Sequence, residues 1–372
     1  MRKDRIRRVR EKIADHGIDA LLVLIEENRY YLSGFTGEDH QFDESAGALL
    51  LTQDQLVLAT DSRFEIQAQE EAPQYDCVIY QKGLAKELPG LVRKLNLNRM
   101  GFESVRLSVK QLNTFQKELA AASCSLELVP VEDMVEELRL TKSDQEIERT
   151  QKALALAEDA FLQVTRKIKP GMTEQAIAWE MERCMRVAGA QRLSFPIIVA
   201  GGPNSALPHA IPTDRPVQKG EPILFDWGAV SDHYCSDISR TVIIGPPDET
   251  FTKVYHTVLE AQQKAINAIT SGASSKAVDA VARDHIETSG FGGKFGHGLG
   301  HGTGLAVHEG PRLSPLKETI LESGMIVTVE PGIYLQDWGG VRIENQVVVG
   351  QNGPIVLNAL GTSFETAILQ TG

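Results

Sequence analysis

The sequence predicts an α+β protein of two domains. A smaller α/β domain should span residues 1–131, a linker 132–142, and a larger domain 143–372 built from two copies of one helix–helix–hairpin unit. Three observations carry this expectation. The chain has 372 residues, too many for one ordinary hydrophobic core. Short apolar runs alternate with amphipathic stretches through the first third. The remainder resembles itself at an offset of just over a hundred residues.

In the first third, residues 5–16 carry helical spacing, with Gly17 placed as a C-cap. Apolar runs at 19–25, 46–51 and 55–59 read as strands, and residues 34–45 form a polar loop rich in Asp, Glu, Gly and His. A second round follows: a strand at 77–80, a helix at 84–95, a strand at 99–102, a helix at 109–122 and a last strand near 128–131.

The second domain opens on a capping box, Ser143-Asp144-Gln145-Glu146, ahead of Ile147, Leu154, Phe161 and Ile168 at helical spacing. Pro170-Gly171 breaks that helix, and Thr173 caps the next, which runs to about residue 187. The pattern recurs: an amphipathic stretch over 250–270, Gly272, then Ser274 or Ser275 capping a helix to about 288. Gly171 and Gly272 lie 101 residues apart, as do Thr173 and Ser274. A pair of acids follows each helix pair. Asp226 and Asp237 flank a turn at Ser231-Asp232, and Glu330 and Glu344 flank a turn at residues 337–340. A pseudo-two-fold should set the two sheets side by side, with helices on one face and the acids at the centre.

An Asp inside Ile223-Leu224-Phe225-Asp226-Trp227 is costly to bury unless a positive charge meets it. A hairpin symmetric about Ser231-Asp232 sets Asp237 opposite Asp226, which is repulsive by itself. Glu330, after Ile326-Val327-Thr328-Val329, and Glu344, in Val341-Arg342-Ile343-Glu344, repeat the problem. One acid alone is explained as well by a core salt bridge to Arg240 or Arg342. Four acids in two duplicated hairpins outnumber those two cations. The run from Gly296 to Gly304 adds His297 and His301 amid glycines, and His308 follows. One imidazole with four carboxylates suits a dinuclear site for hard ions: Mn²⁺ first, with Co²⁺, Fe²⁺ or Zn²⁺ possible. Two such ions stand roughly 3.5–4 Å apart and share a water of lowered pKa.

Bulk properties narrow the field. The net charge of -12 leaves no basic footprint for nucleic acid. The longest early apolar run, at 21–25, is too short for a signal peptide or membrane span. Cys77, Cys124, Cys184 and Cys235 are scattered, as reduced thiols of a cytoplasmic protein would be.

The motifs together resemble the pita-bread metallopeptidases, specifically the proline-peptidase branch of Xaa-Pro aminopeptidase and Xaa-Pro dipeptidase (prolidase). The resemblance covers nearly the whole chain. It includes Asn28-Arg29-Tyr30-Tyr31-Leu32-Ser33-Gly34-Phe35 and Asp61-Ser62-Arg63-Phe64, which look like a creatinase-type N-terminal domain. It continues through Ser194-Phe195-Pro196, Asn204 to His209, Asp226 to Arg240, His301 to Pro311, Glu330-Pro331-Gly332 and Arg342-Ile343-Glu344. By resemblance, Asp226 is the bidentate ligand of one metal, Asp237 and Glu344 bridge, and His301 and Glu330 complete the other metal. Glu330 would also shuttle the proton of the attacking water. His209 and His308 would orient substrate and stabilise the tetrahedral intermediate. His297 would stand behind the ligands or brace its loop, Arg342 brace the carboxylates, and Tyr334 line the pocket. Arg312 is placed to take a proline carboxylate, and the 34–45 loop with His40 to limit substrate length from a neighbouring subunit. Asn345 departs from the family, where many members have Asp.

The resemblance thus implies release of the N-terminal residue from Xaa-Pro di- or oligopeptides by a cytoplasmic homodimer with no nucleic-acid or membrane partner. Two alternatives share the fold: a creatinase-like, metal-free C–N hydrolase, and a non-catalytic peptide-binding platform. Both are associated with loss of metal ligands, and all five ligand residues stand in this sequence.

Overall fold

The structure, a computed structural model, describes residues 2–39, 41 and 45–370. It divides into two compact units, Met1–Leu138 and Arg139–Gly372. The division falls inside the segment expected as a linker. That segment is not featureless, since it contains a one-turn helix, Glu136–Arg139.

The first unit carries six strands: β1 (Ala20–Val23), β2 (Ala48–Thr52), β3 (Leu56–Thr60), β4 (Asp76–Ile79), β5 (Arg99–Glu103) and β6 (Glu127–Val131). Their order is β4-β3-β2-β1-β5-β6, parallel throughout except for β2, which runs antiparallel to both its neighbours. The helices foreseen from periodicity are α1 (Arg2–Asp15), α4 (Leu84–Lys94) and α5 (Val109–Ala121). Two more, α2 (Glu26–Ser33) and α3 (Glu65–Glu71), gave no sequence signal because neither has a side chain capping its N-terminus. For α2 the cap comes from elsewhere: the carboxylate of Glu103 accepts from the amides of Leu24 (2.6 Å) and Ile25 (2.7 Å) and from Asn28 Nδ2 (2.6 Å). His40 and residues 42–44 of the expected polar loop lie outside the described residues.

In the second unit the duplication is physical. Helices α7 (Asp144–Thr165) and α8 (Glu174–Val187) pack on β8 (Ile198–Gly201), β9 (Pro222–Trp227) and β12 (Ile238–Ile244). Helices α9 (Glu249–Asn267) and α10 (Ser275–Ile286) pack on β15 (Ile326–Val329) and β18 (Asn345–Gly350). The turn within each helix pair repeats in detail. Gly171 and Gly272 take positive φ (94° and 90°). Their amides donate to Val217 and Leu321, whose own amides return to Met172 and Ala273. Thr173 and Ser274 cap the second helices through the amides of Ala176 and Ala277.

Two small hairpins complete the site-bearing strands: β10 (Ala229–Ser231) with β11 (Tyr234–Cys235), and β16 (Gly332–Leu335) with β17 (Gly339–Arg342). Strand β13 (Gly300–Gly302) is inserted between β14 (Glu309–Leu313) and β15. Its glycines are required there, because a Cβ on Gly302 would lie 1.8 Å from the Gly310 carbonyl oxygen. The sheets are mixed with helices as an α+β layout, the predicted class.

Strand alternation decides which side chains meet the helices. On β9, Ile223, Phe225 and Trp227 enter the core with α7 and α8, so Asp226 faces away from them. On β15 and β18, Val327, Val329, Val347 and Val349 enter the core with α9 and α10, which turns Thr328 and Gln346 to the opposite face. Trp227 anchors the first half: its Nε1–H donates to the Ala157 carbonyl (2.9 Å) and its ring stacks on Phe161 at 4.7 Å. Trp227→Ala should therefore cost about 3–5 kcal/mol, read as a lowered denaturant midpoint. An unchanged midpoint would show that the contact is not needed.

Candidate metal centre

The face turned away from the helices collects the acids. Asp226 pairs across β9–β12 with Ser239, so Asp237 lies two residues along rather than directly opposite. The hairpin turns about Asp232-His233, both at positive φ, and not about Ser231-Asp232 as expected. The diagonal placement eases the repulsion the symmetric reading implied. In the second hairpin, Val329 pairs with Asn345 and Gly332 with Arg342, a common register that sets Glu330 across from Glu344.

The two hairpins are joined edge to edge. The Glu344 amide donates to the Ser239 carbonyl (3.1 Å), and Thr241 Oγ1 both accepts from the Arg342 amide and donates to its carbonyl. The Asp237 amide donates to Gln346 Oε1 (3.2 Å). This seam brings oxygens of Asp226, Asp237 and Glu344 within 4.8 Å of one another. His301, on β13, places Nε2 3.5 Å from Asp237 Oδ2 and 3.3 Å from Glu330 Oε1. All five expected ligand residues are thus together.

Their electrostatics point to cations. The His301 Nδ1–H donates to the Gly302 carbonyl (3.1 Å), which leaves Nε2 with its lone pair toward the two carboxylates. Burial lowers the ring's pKa to about 3, so it is neutral and forms no ion pair with them. Acceptors facing acceptors at this range need a positive ion, or a proton kept on one of the carboxylates, between them. Two further buried oxygens, Asp226 Oδ1 and Glu344 Oε1, have no hydrogen-bond donor among the described residues. The donor set of four carboxylates and one imidazole, with no thiolate, fits hard divalent ions.

The two arginines divide their work. Arg342 pairs with Asp226 (Nη2 to Oδ2, 2.7 Å), donates from Nε to Ser239 Oγ (2.9 Å), and donates from Nη1 to Tyr334 Oη (2.7 Å). Ser239 Oγ–H passes on to Glu344 Oε2 (2.8 Å). Among the described residues Arg240 pairs with no acid. It donates to the carbonyls of Ser239, Glu344, Leu360 and Gly361 and to Asn345 Oδ1. Among the described residues, Arg342 is thus the one guanidinium that hydrogen-bonds to any of the four carboxylates.

Beside the ligands lies a cavity of about 530 Å³ lined by His209, His297, His301, His308, Arg312, Lys317, Glu330 and Arg342, among others. A second space of about 280 Å³ shares His209 and His308 and reaches Asp237, with Phe195, Pro196, Ile197 and Ile211 as apolar walls. His209, His308 and Arg312 are exposed at these openings. Tyr334, expected to line the pocket, is not among the lining residues. It stands behind Arg342, and its hydroxyl meets His297 Nε2 at 2.8 Å. His297 also uses Nδ1 on the Gly298 carbonyl, so it braces the loop while lining the cavity. Sequence reasoning missed Ser239, Thr328, Gln346 and Lys317. The first three were signalled, since each lies two residues from a ligand on the same strand face.

Burial, then the neighbouring carboxylates, hold Asp237 and Glu344 well above the usual carboxylate range. Burial pushes Glu330 up to about 7. The folded protein thus keeps protons that the unfolded chain has released, and its own stability falls as pH rises. Glu330's share is lost between its unfolded value, 4.5, and about 7, and those of Asp237 and Glu344 are lost in the same direction as pH rises. Burial lowers His297, His301 and His308, so their contribution changes only below 6.5, the unfolded value. Between pH 6.5 and 8 these carboxylates act together with Glu103 of the first unit, which burial also pushes up to about 7. Thermal melts of EDTA-treated protein should drop over that interval by a few degrees, about 2–4 °C per kcal/mol. Added Mn²⁺ should raise the melting temperature more at pH 8 than at 6.5. An equal gain at both would refute the assignment.

Known proteins carry the same architecture. Residues 148–351 match the model of metallopeptidase family M24, and residues 5–141 match the creatinase/prolidase N-terminal domain. An uncharacterized Bacillus subtilis peptidase is 38% identical over 94% of this chain and 96% of its own. A Pyrococcus horikoshii Xaa-Pro dipeptidase is 34% identical over 94% and 95%. Among solved structures, an Xaa-Pro dipeptidase from Bacillus anthracis superposes with a TM-score of 0.93 at 36% identity, covering 99% of this chain and 100% of that one. An X-Pro aminopeptidase from Thermotoga maritima gives 0.84 at 36% identity, covering 95% and 98%. With its four acids and one imidazole drawn together on a duplicated scaffold, the chain belongs to metallopeptidase family M24 and carries that family's creatinase/prolidase N-terminal domain.

Proposed function

We propose that this protein is an Xaa-Pro peptidase using two divalent metal ions, Mn²⁺ preferred over Co²⁺, Fe²⁺ or Zn²⁺. The carrying observation is the neutral His301 Nε2 aimed at Asp237 and Glu330 beside two donorless carboxylate oxygens. The relatives named Xaa-Pro dipeptidase, aligned over nearly their whole length, support the substrate class. Bound ions would supply Lewis acidity at the scissile carbonyl and acidify the attacking water.

Asp226 would hold one ion, His301 and Glu330 the other, and Asp237 and Glu344 both. Glu330 would take the proton of the attacking water and return it to the proline nitrogen as that bond breaks. The tertiary amide of Xaa-Pro has no N–H to offer, so the site must supply this proton. His209 and His308, on the rim of both spaces, steady the substrate and the developing oxyanion. Arg312 receives the proline carboxylate, and Arg342 fixes Asp226. The same reading takes the enzyme to be a cytoplasmic homodimer. Its four cysteines are free, as a reducing compartment would keep them. No helix among the described residues is long and apolar enough to cross a membrane.

The test compares Xaa-Pro dipeptides with Xaa-Pro-Yaa tripeptides in Mn²⁺ or Co²⁺, with metal content measured. Turnover of neither with metal bound would end the proposal, and less than one metal per chain would favour the binding-platform alternative. Arg312→Ala should raise KM for the dipeptide about tenfold or more, the loss of a charge-assisted hydrogen bond. It should leave the tripeptide nearly unchanged. Equal effects on both would remove Arg312 from carboxylate recognition.

A further inference from the structure

Glu309 has no place in the ligand set, yet it is among the most enclosed charges of the second unit. Its side chain is 7% exposed, and those of its partners Arg139 and Lys142 are 6% and 2% exposed. Oε1 accepts from the Arg139 guanidinium and from the Ala306 amide (2.9 Å), and Oε2 from Lys142 Nζ at 3.2 Å. Burial alone would raise the Glu309 carboxyl, but the two cations outweigh it and hold the value at about 2.

Two cations on one carboxylate are a poor way to gain stability, since apolar residues of equal volume commonly do as well. The geometry suggests what the triad does instead. Glu309 follows His308 directly and is the first residue of β14, three positions before Arg312. Its bond to the Ala306 amide closes the turn that carries His308. A Cβ on Gly304 would lie 2.7 Å from Glu309 Oε2, so the loop is packed onto the carboxylate itself. The His308 ring in turn meets the His301 ring edge-on at 4.4 Å.

We infer that the buried Arg139–Glu309–Lys142 triad is a positioning device. It holds the loop at 303–308 and the start of β14 in the one arrangement that presents His308 and Arg312 to the substrate. The inference rests on the roles proposed above for those two residues.

Lys142→Met and Glu309→Asp test it, the first removing one cation and the second shortening the carboxylate's reach. Val164→Ala, in the α7 core, serves as a control of comparable lost stability. Both triad variants should titrate Co²⁺ with unchanged affinity and visible spectrum. Their kcat for an Xaa-Pro dipeptide should fall and KM rise together, lowering kcat/KM about tenfold or more, the scale of a small misplacement. The control should change neither constant. If Lys142→Met fails to fold, Glu309→Asp decides alone. A kcat/KM equal to the control's would overturn the inference. His308→Ala and Arg312→Ala run in parallel separate the two levels. If they lose activity while the triad variants do not, only the positioning role falls. If they too keep full activity, the proposed roles fail and this inference with them.

Discussion

Four carboxylates and a neutral imidazole converge in a space where, among the described residues, one guanidinium, that of Arg342, hydrogen-bonds to the acids. Like charges so close, in surroundings of low dielectric, repel unless cations enter or the carboxyls keep protons. Every local feature of the centre follows from that constraint. The His301 ring is fixed in one tautomer by the Gly302 carbonyl, so that its lone pair points inward. Ser239 and Thr328 each give one hydrogen bond to a ligand carboxylate, leaving other oxygens for metal.

The scaffold meets the constraint through duplication. Each half has its own helix-covered core, one around Phe161 and Trp227, the other around Val254, Val258 and Val327. Strand alternation then sends the ligands of both halves to the face away from those cores. The seam between Ser239–Thr241 and Arg342–Glu344 fixes one hairpin against the other, through the Glu344 amide on the Ser239 carbonyl and the Thr241 hydroxyl on both backbone groups of Arg342. Arg240 reinforces the seam by gathering carbonyls of Ser239, Glu344, Leu360 and Gly361 around one cation. Asn345 also accepts from it, through the oxygen of a neutral amide.

Legibility in the sequence tracked the range of the forces involved. The caps at Ser143, Thr173 and Ser274, the glycines 171 and 272, and the acids inside apolar strands are local signals, and each element they announced is present. Helix α2 was illegible because its capping group, Glu103, is more than seventy residues away. The register of the first hairpin was misread because Asp232 and His233 take positive φ together, which a turn centred one residue earlier does not need. Tyr334 was expected at the pocket wall from the family resemblance. Its strand instead sends the hydroxyl behind Arg342.

What the sequence determined by itself was composition and period: which residues are acids in apolar strands, which glycines permit close backbone approach, and that the unit occurs twice. Those properties belong to single residues and their near neighbours. Only the tertiary structure decided which oxygens face one another, which arginine meets an acid and which meets carbonyls, and that Glu309 is gripped by two cations from the segment read as linker. Such outcomes depend on side-chain direction across a seam of strands far apart in the chain, where a one-residue change in register turns every group to the other face.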